Sequence, residues 1–211
     1  NFNADFSIAT SVSDGVAPPI TSTKSFTGTA VNDAPTATNL SAAEAYTEDT
    51  ALNLTDIVVS DVDSASASVT ATLTLSNTAA GALSTATSNA VTSTFDAGTG
   101  AWSASGALAD VNALLAGVMF TPTLDFTGAF TVATSVSDGV EPAITGTKSF
   151  TGTAINDAPV LAIGSTLDYA ENGVATAVNT ALTVSDLDNS RLASAVISIT
   201  AGFVAGVDVL S

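Results

Sequence analysis

The chain has 211 residues, 20.6 kDa, and 3 basic against 20 acidic side chains, a formal net charge of −17. An apolar fraction of 46% is too high for an acidic disordered tail, and 11% charged residues lies far below the roughly 25% of an average soluble domain, so Thr, Ser and Asn must carry solubility. Lys24, Lys148 and Arg191 cannot form a basic patch, which excludes nucleic acid as a partner; the absence of His and Cys excludes His triads, thiol nucleophiles and His/Cys zinc sites. No apolar run reaches the length of about 18 residues that membrane insertion requires.

Taken in chain order, the pattern predicts an all-β chain. Residues 51–59 alternate apolar and polar side chains before an Asp-rich break, and 69–75 do so again after it. Residues 91–95 and 101–103 flank Asp96-Ala-Gly-Thr-Gly and read as a hairpin. Leu108, Val111, Leu115 and Val118 fall at spacings of three and four, which predicts a short helix capped near Asp110. Phe130–Val136 alternates once more and stops at Ser137-Asp138-Gly139, a turn signal, before a returning strand from Ile144. About seven strands fit an immunoglobulin-like Greek-key sandwich.

The sequence also repeats. Residues 6–35, FSIATSVSDGVAPPITSTKSFTGTAVNDAP, return at 130–159 as FTVATSVSDGVEPAITGTKSFTGTAINDAP, an offset of 124 with 6 differences in 30 positions. Tyr46-Thr47-Glu48-Asp49 and Asp61-Val62-Asp63 are answered by Tyr169-Ala170-Glu171-Asn172 and Asp186-Leu187-Asp188. The expected organisation is the C-terminal part of one repeat (1–34), a complete repeat (35–158) and the N-terminal part of the next (159–211), a piece of a tandem array.

Greek-key topology gathers the acidic residues at the two ends of the complete repeat. The linker Asn32-Asp33 is expected beside Asp61, Asp63 and Asp138 at one end. Glu48 and Asp125 are expected at the other, with the departing linker Asn156-Asp157 and with Asp186 and Asp188 of the next repeat. Two carboxylates about 4 Å apart repel by roughly 4 kcal/mol at an effective dielectric of 20. Four of them cannot all stay ionised without a cation, and no Lys or Arg lies in these motifs. All-oxygen donors select Ca²⁺. The spacing is not that of an EF-hand, since the sixth position from Asp61 is Ser66, so the site is assembled from separate loops.

These residues resemble the cadherins. Val31-Asn32-Asp33-Ala34-Pro35 and Ile155-Asn156-Asp157-Ala158-Pro159 are similar to the cadherin interdomain linker, Asp61-Val62-Asp63 to DxD, Ala170-Glu171-Asn172 to xEN, Ser135–Gly139 to AxDxG, and Leu124-Asp125-Phe126 to the start of LDRE. The stretch from Val111 to Pro122, followed by Asp125-Phe126-Thr127-Gly128, resembles more narrowly the cadherin-like tandem repeats of giant bacterial surface adhesins. Ala30 and Ala154 stand where the cadherin linker begins with Asp, Thr127 replaces the Glu of LDRE, and Asn1 takes the place of Asp125 in the first copy. Each change removes an oxygen ligand, so one or two ions per junction are expected rather than three.

Each motif also has a plainer reading. Asp-Gly is a turn in any β-protein, and Asn-Asp-Ala-Pro serves equally as a linker with an extended entry to the first strand. Asp96 and Asp110 are expected as loop and cap residues, and Tyr46 and Trp102 at the edge of the core. The resemblance implies a Ca²⁺-stabilised stalk module of a long secreted adhesin at the cell surface, whose partners are neighbouring repeats. A self-assembling extracellular filament or surface layer is the alternative, and a carbohydrate-binding sandwich the third reading. No nucleophile–base pair is visible, so the sequence does not read as an enzyme.

Overall fold

The computed structural model describes every residue except 1, 64–67, 165, 169, 171, 172, 175, 180, 203 and 205–211. Glu171 and Asn172 of the xEN resemblance therefore lie outside the described residues. The chain divides into a first unit, Asn1–Ala154, and a second, Ile155–Ser211.

The first unit opens with a hairpin of β1 (Phe6–Val12) and β2 (Ile20–Phe26), which pair only with each other among the described residues. After the linker come β3 (Thr36–Ala37), β4 (Glu44–Thr47), β5 (Leu52–Asn53), β6 (Val59–Ser60), β7 (Ser68–Leu75) and β8 (Gly81–Leu83). They are followed by β9 (Thr87–Ser88), β10 (Val91–Thr92), β11 (Thr94–Asp96), β12 (Ala101–Ala107), the single helix α1 (Leu108–Leu115) and β13 (Met119–Pro122). A second hairpin, β14 (Phe130–Ser137) and β15 (Ile144–Thr153), completes the unit.

Two sheets form the sandwich. One has the order β11-β12-β7-β14-β15-β4, the other β5-β13-β8, with the short pair β3-β6 beside them. All neighbours are antiparallel except β15 and β4, which run parallel with Phe150 opposite Glu44 and Thr153 opposite Thr47. The chain thus passes repeatedly from one sheet to the other, the Greek-key connection the pattern predicted. Period-two alternation explains the core: Val69, Ala71, Leu73 and Leu75 of β7, Trp102 and Ala104 of β12, and Phe130, Val132 and Val136 of β14 all point inward. Phe130 and Phe150 stack at 4.6 Å, with Phe120 and Tyr46 set edge-on against them.

Three local readings change. The run 51–59 is not one strand: Leu52 and Asn53 pair with β13, whereas Val59 and Ser60 pair with β3 in a separate sheet. Between them the Thr55 N–H turns to the Glu44 carboxylate at 2.9 Å. Helix α1 is where its spacing placed it, but Asp110 does not cap it; Ala107 is the N-cap, and the Asp110 carboxylate accepts from Ser88 and Asn89 in the β9–β10 turn. Trp102 and Tyr46 are wholly buried rather than at the edge, because each places its polar atom on a carbonyl: Trp102 Nε1 on Ser84 at 3.0 Å and Tyr46 Oη on Gly128 at 2.6 Å.

Among its described residues the second unit contains one short antiparallel pair, β16 (Val160–Ala162) and β17 (Thr183–Ser185), and the large apolar side chains described there are exposed. Among the described residues no helix is long and apolar enough to cross a membrane.

Candidate metal centre

Strand β3 enters the sandwich from the linker, β6 leads into Asp61-Val62-Asp63, and β14 ends one residue before Asp138. The topology brings these three segments together, and hydrogen bonds fasten them. The Asp33 N–H donates to Asp63 Oδ2 at 2.7 Å, the Asp63 N–H to Asp61 Oδ1 at 2.9 Å, and Asn32 Nδ2 to Asp138 Oδ2 at 2.7 Å. Asn32 Nδ2 also reaches the Asp33 carbonyl at 3.1 Å, which folds the linker back on itself. Sequence positions as far apart as 32 and 138 are therefore neighbours. The five residues expected at this end, Asn32, Asp33, Asp61, Asp63 and Asp138, form one connected group, Asp33 through its backbone.

The Asp138 carboxyl sits below its ordinary value of 3.8, first because the Asn32 amide donates to it and then because the Val140 N–H does. Its other oxygen accepts the N–H groups of Val140 and Glu141 at 3.0 Å each, and Gly139 takes the left-handed conformation this turn requires, φ +82°.

Strand β6 is itself held from outside the sheet. Asn112 of α1 accepts the Val59 N–H at 2.8 Å and donates to the Val59 carbonyl at 2.9 Å, so one amide replaces both bonds of a missing strand neighbour. Sequence reasoning missed this support for the Asp61–Asp63 segment. An amide on a helix whose other periodic residues are apolar was the available signal.

At the other end of the first unit, Glu48 is buried and its N–H donates to Thr153 O at 3.0 Å. Together with burial, its charge pushes the Tyr46 phenol above its ordinary value of 10.0, burial being the larger cause. Asp125 is exposed and its N–H donates to Asp49 Oδ1 at 3.0 Å. Asp49 and Asp125 both adopt left-handed backbone, φ 59° and 60°, a conformation that Asp tolerates better than most residues. Asp49 was not singled out, although it directly follows Glu48.

The second unit repeats the linker geometry on its own residues. The Asp157 N–H donates to Asp188 Oδ2 at 2.6 Å, the Asp188 N–H to Asp186 Oδ1 at 3.0 Å, and Asn156 Nδ2 to the Asp157 carbonyl at 2.7 Å. Asn156 Oδ1 accepts from Asn189 at 2.7 Å.

The donor chemistry of the first group fits a hard divalent cation. It consists of four carboxylates and one amide, with no Lys or Arg among them. Among the described residues its carboxylates do not close to a trio within 4.8 Å of one another; linker amides hold them where they are.

No protein-family model and no curated protein matches the chain. Similar solved structures are "Protocadherin Gamma B2 extracellular cadherin domains 1-5", at 16% identity and TM-score 0.40 over 87% of this chain and 32% of that one, and "Protocadherin gammaB7 EC3-6 cis-dimer structure", at 13% and 0.37 over 87% and 42%. "Crystal structure of the Protocadherin GammaB4 extracellular domain" is similar at 16% and 0.38 over 87% and 29%. The chain thus spans less than half the length of each.

Proposed function

We propose that this chain is a Ca²⁺-stabilised extension module of a long extracellular adhesin of the bacterial cell surface, in which ions at the linkers stiffen a tandem array. The observation that carries the reading is the grip on Asn32-Asp33. Two separate loops of the sandwich, 61–63 and 138, supply carboxylates that meet the incoming linker through 2.7 Å hydrogen bonds. A bound Ca²⁺ would neutralise the mutual repulsion of these carboxylates. Asp33, Asp61, Asp63 and Asp138 would hold it, with oxygens from Asn32. The Asp157–Asp188 and Asp186–Asp188 bonds reproduce the same arrangement on the second linker. By the repeat, Glu48, Asp125, Asn156, Asp157, Asp186 and Asp188 would serve the second junction.

Extracellular Ca²⁺ modules bind at about 10⁻⁴ to 10⁻³ M. At tenfold excess over Kd, each site would add roughly 1.4 kcal/mol to stability. Calorimetry with Ca²⁺ on the full chain should show binding in this range, and Asp61→Ala with Asp63→Ala should abolish the first-linker component. Small-angle scattering with Ca²⁺ and then chelator should show the particle loosening at the linkers before the sandwich melts. Unchanged dimensions and melting temperature, in both the natural sequence and the double variant, would remove the calcium reading.

The second reading, a self-assembling filament, is favoured by the β1–β2 hairpin, which exposes Phe6, Ile8, Val12 and Ile20. Sedimentation with electron microscopy over a concentration series separates the two: the filament subunit grows into laterally packed fibres, and the stalk module forms none.

A further inference from the structure

The chain carries two copies of one hairpin and one complete sandwich for them. Both copies register seven pairs, Phe6↔Phe26 to Val12↔Ile20 and Phe130↔Phe150 to Val136↔Ile144. Both turn on an Asp whose Oδ1 accepts two N–H groups, and both stack their paired phenyl rings, at 4.7 and 4.6 Å. Hairpin 6–26 is thus preformed and brings nearly every side chain that the sandwich takes from 130–150. Near-identical elements in one chain are the usual source of misassembly in repeat proteins.

Two of their differences fall inside the packed sandwich, and one of these meets backbone. Opposite Thr134 stands Gly146, and opposite Thr10 stands Ser22. A Cβ on Gly146 would lie 2.6 Å from Leu40 Cβ, 2.7 Å from its carbonyl oxygen and 2.8 Å from its carbonyl carbon. That backbone cannot easily retreat, since Thr134 Oγ1 donates to the Leu40 carbonyl at 2.9 Å and the Thr147 N–H to Ser41 Oγ at 3.2 Å. Space, not a left-handed φ, demands glycine at this position. Ile8 in place of the fully buried Val132 adds one methylene, a smaller misfit.

We propose that Leu40 and Gly146 are a matched pair that determines which hairpin this sandwich accepts, and that Ser22 excludes hairpin 6–26 from the seat. A leucine here admits only glycine opposite. The hairpins of adjacent repeats are then sorted by one steric contact while their core faces stay nearly the same.

The test places the first hairpin in the second seat within the full 211-residue chain: Thr131→Ser, Val132→Ile, Glu141→Ala, Ala143→Pro and Gly146→Ser together. The melting temperature should fall by roughly 3–10 °C, and the same exchange with Gly146 kept should recover most of it. Leu40→Gly should cost less in the Gly146→Ser background than in the natural one, the signature of a coupled contact. If the exchanged chain does not fold, Gly146→Ala with and without Leu40→Gly gives the same cycle. A Gly146→Ser chain as stable as the natural one, or more so, would overturn the proposal, because serine is the better strand residue wherever it has space. Additive effects of Leu40→Gly and Gly146→Ser would overturn it as well.

Discussion

Hairpins 6–26 and 130–150 share their turn, their register and most of their residues, yet nearly all of the first is exposed while alternate residues of the second are buried. Two side chains show what that difference means. Lys148 is fully buried, with Nζ donating to Glu44 Oε1 at 2.7 Å and to the Thr55 carbonyl at 3.0 Å; its counterpart Lys24 lies 5.3 Å over the Phe26 ring. Thr134 Oγ1 donates across the sandwich to Leu40, whereas Thr10 Oγ1 turns back to Ser22 O in its own hairpin. Strand pairing is a local property of these residues. The partners of their polar side chains are tertiary.

The sharpest way to break the comparison is to remove the cation from each hairpin. Lys148→Ala leaves Glu44 buried without its counter-ion and should cost about 3–5 kcal/mol in urea unfolding, against less than about 0.5 kcal/mol for Lys24→Ala. Replacing both partners, Lys148→Met with Glu44→Leu, should recover part of the loss: an apolar pair avoids the desolvation of two charges, but the Thr55 N–H and carbonyl lose the partners these side chains gave them. The next copy already has Leu167 two positions before its tyrosine, where this one has Glu44 before Tyr46. The aromatic positions should split comparably: Phe150→Ala at about 3–5 kcal/mol, and Phe26→Ala far less. Asn112→Ala should cost about 1–3 kcal/mol, since it strands both backbone groups of Val59. Asn112→Asp should be worse, because it sets a charged carboxylate oxygen against the Val59 carbonyl oxygen in place of a donor.

The smallest effect is a titration. Asp138 and its counterpart Asp14 both lie below the ordinary 3.8, but Asp138 owes this first to the Asn32 side chain and Asp14 to the backbone N–H groups of Ala17 and Val16. A lowered carboxyl stabilises the fold above its unfolded value, and that contribution disappears as pH falls through the lower folded value. Carboxyl NMR titration should therefore place both groups below 3.8, and Asn32→Ala should raise Asp138 while leaving Asp14 in place.

Period two and the Asp-Gly turns made β7, β14 and β15 legible, and the three-and-four spacing located α1. The grouping of Asn32, Asp33, Asp61, Asp63 and Asp138 was legible because topology alone brings the ends of those strands together. What stayed hidden depended on pairings between distant residues. Glu44 and Lys148 are 104 positions apart, and only their inward parity, Glu44 with Tyr46 and Lys148 with Phe150, marked them as buried. The break in 51–59 was invisible because its cause, Glu44 capturing the Thr55 N–H, lies outside the window that shows the alternation. Asp110 looked like a cap because helix starts favour acids, but the β9–β10 turn claims it first.

The parallel register of β4 and β15 has a mechanical consequence. The linker at Asn32-Asp33 leads through the two-residue β3 to β4, and β15 runs out towards Asn156-Asp157. Tension on the two linkers pulls parallel neighbours in opposite directions along their own axes. The load then falls in shear on all four registered pairs from Phe150↔Glu44 to Thr153↔Thr47 together, with the Lys148–Glu44 ion pair anchoring the first of them. An antiparallel pair loaded from one end would open one bond at a time; this one must slip as a whole.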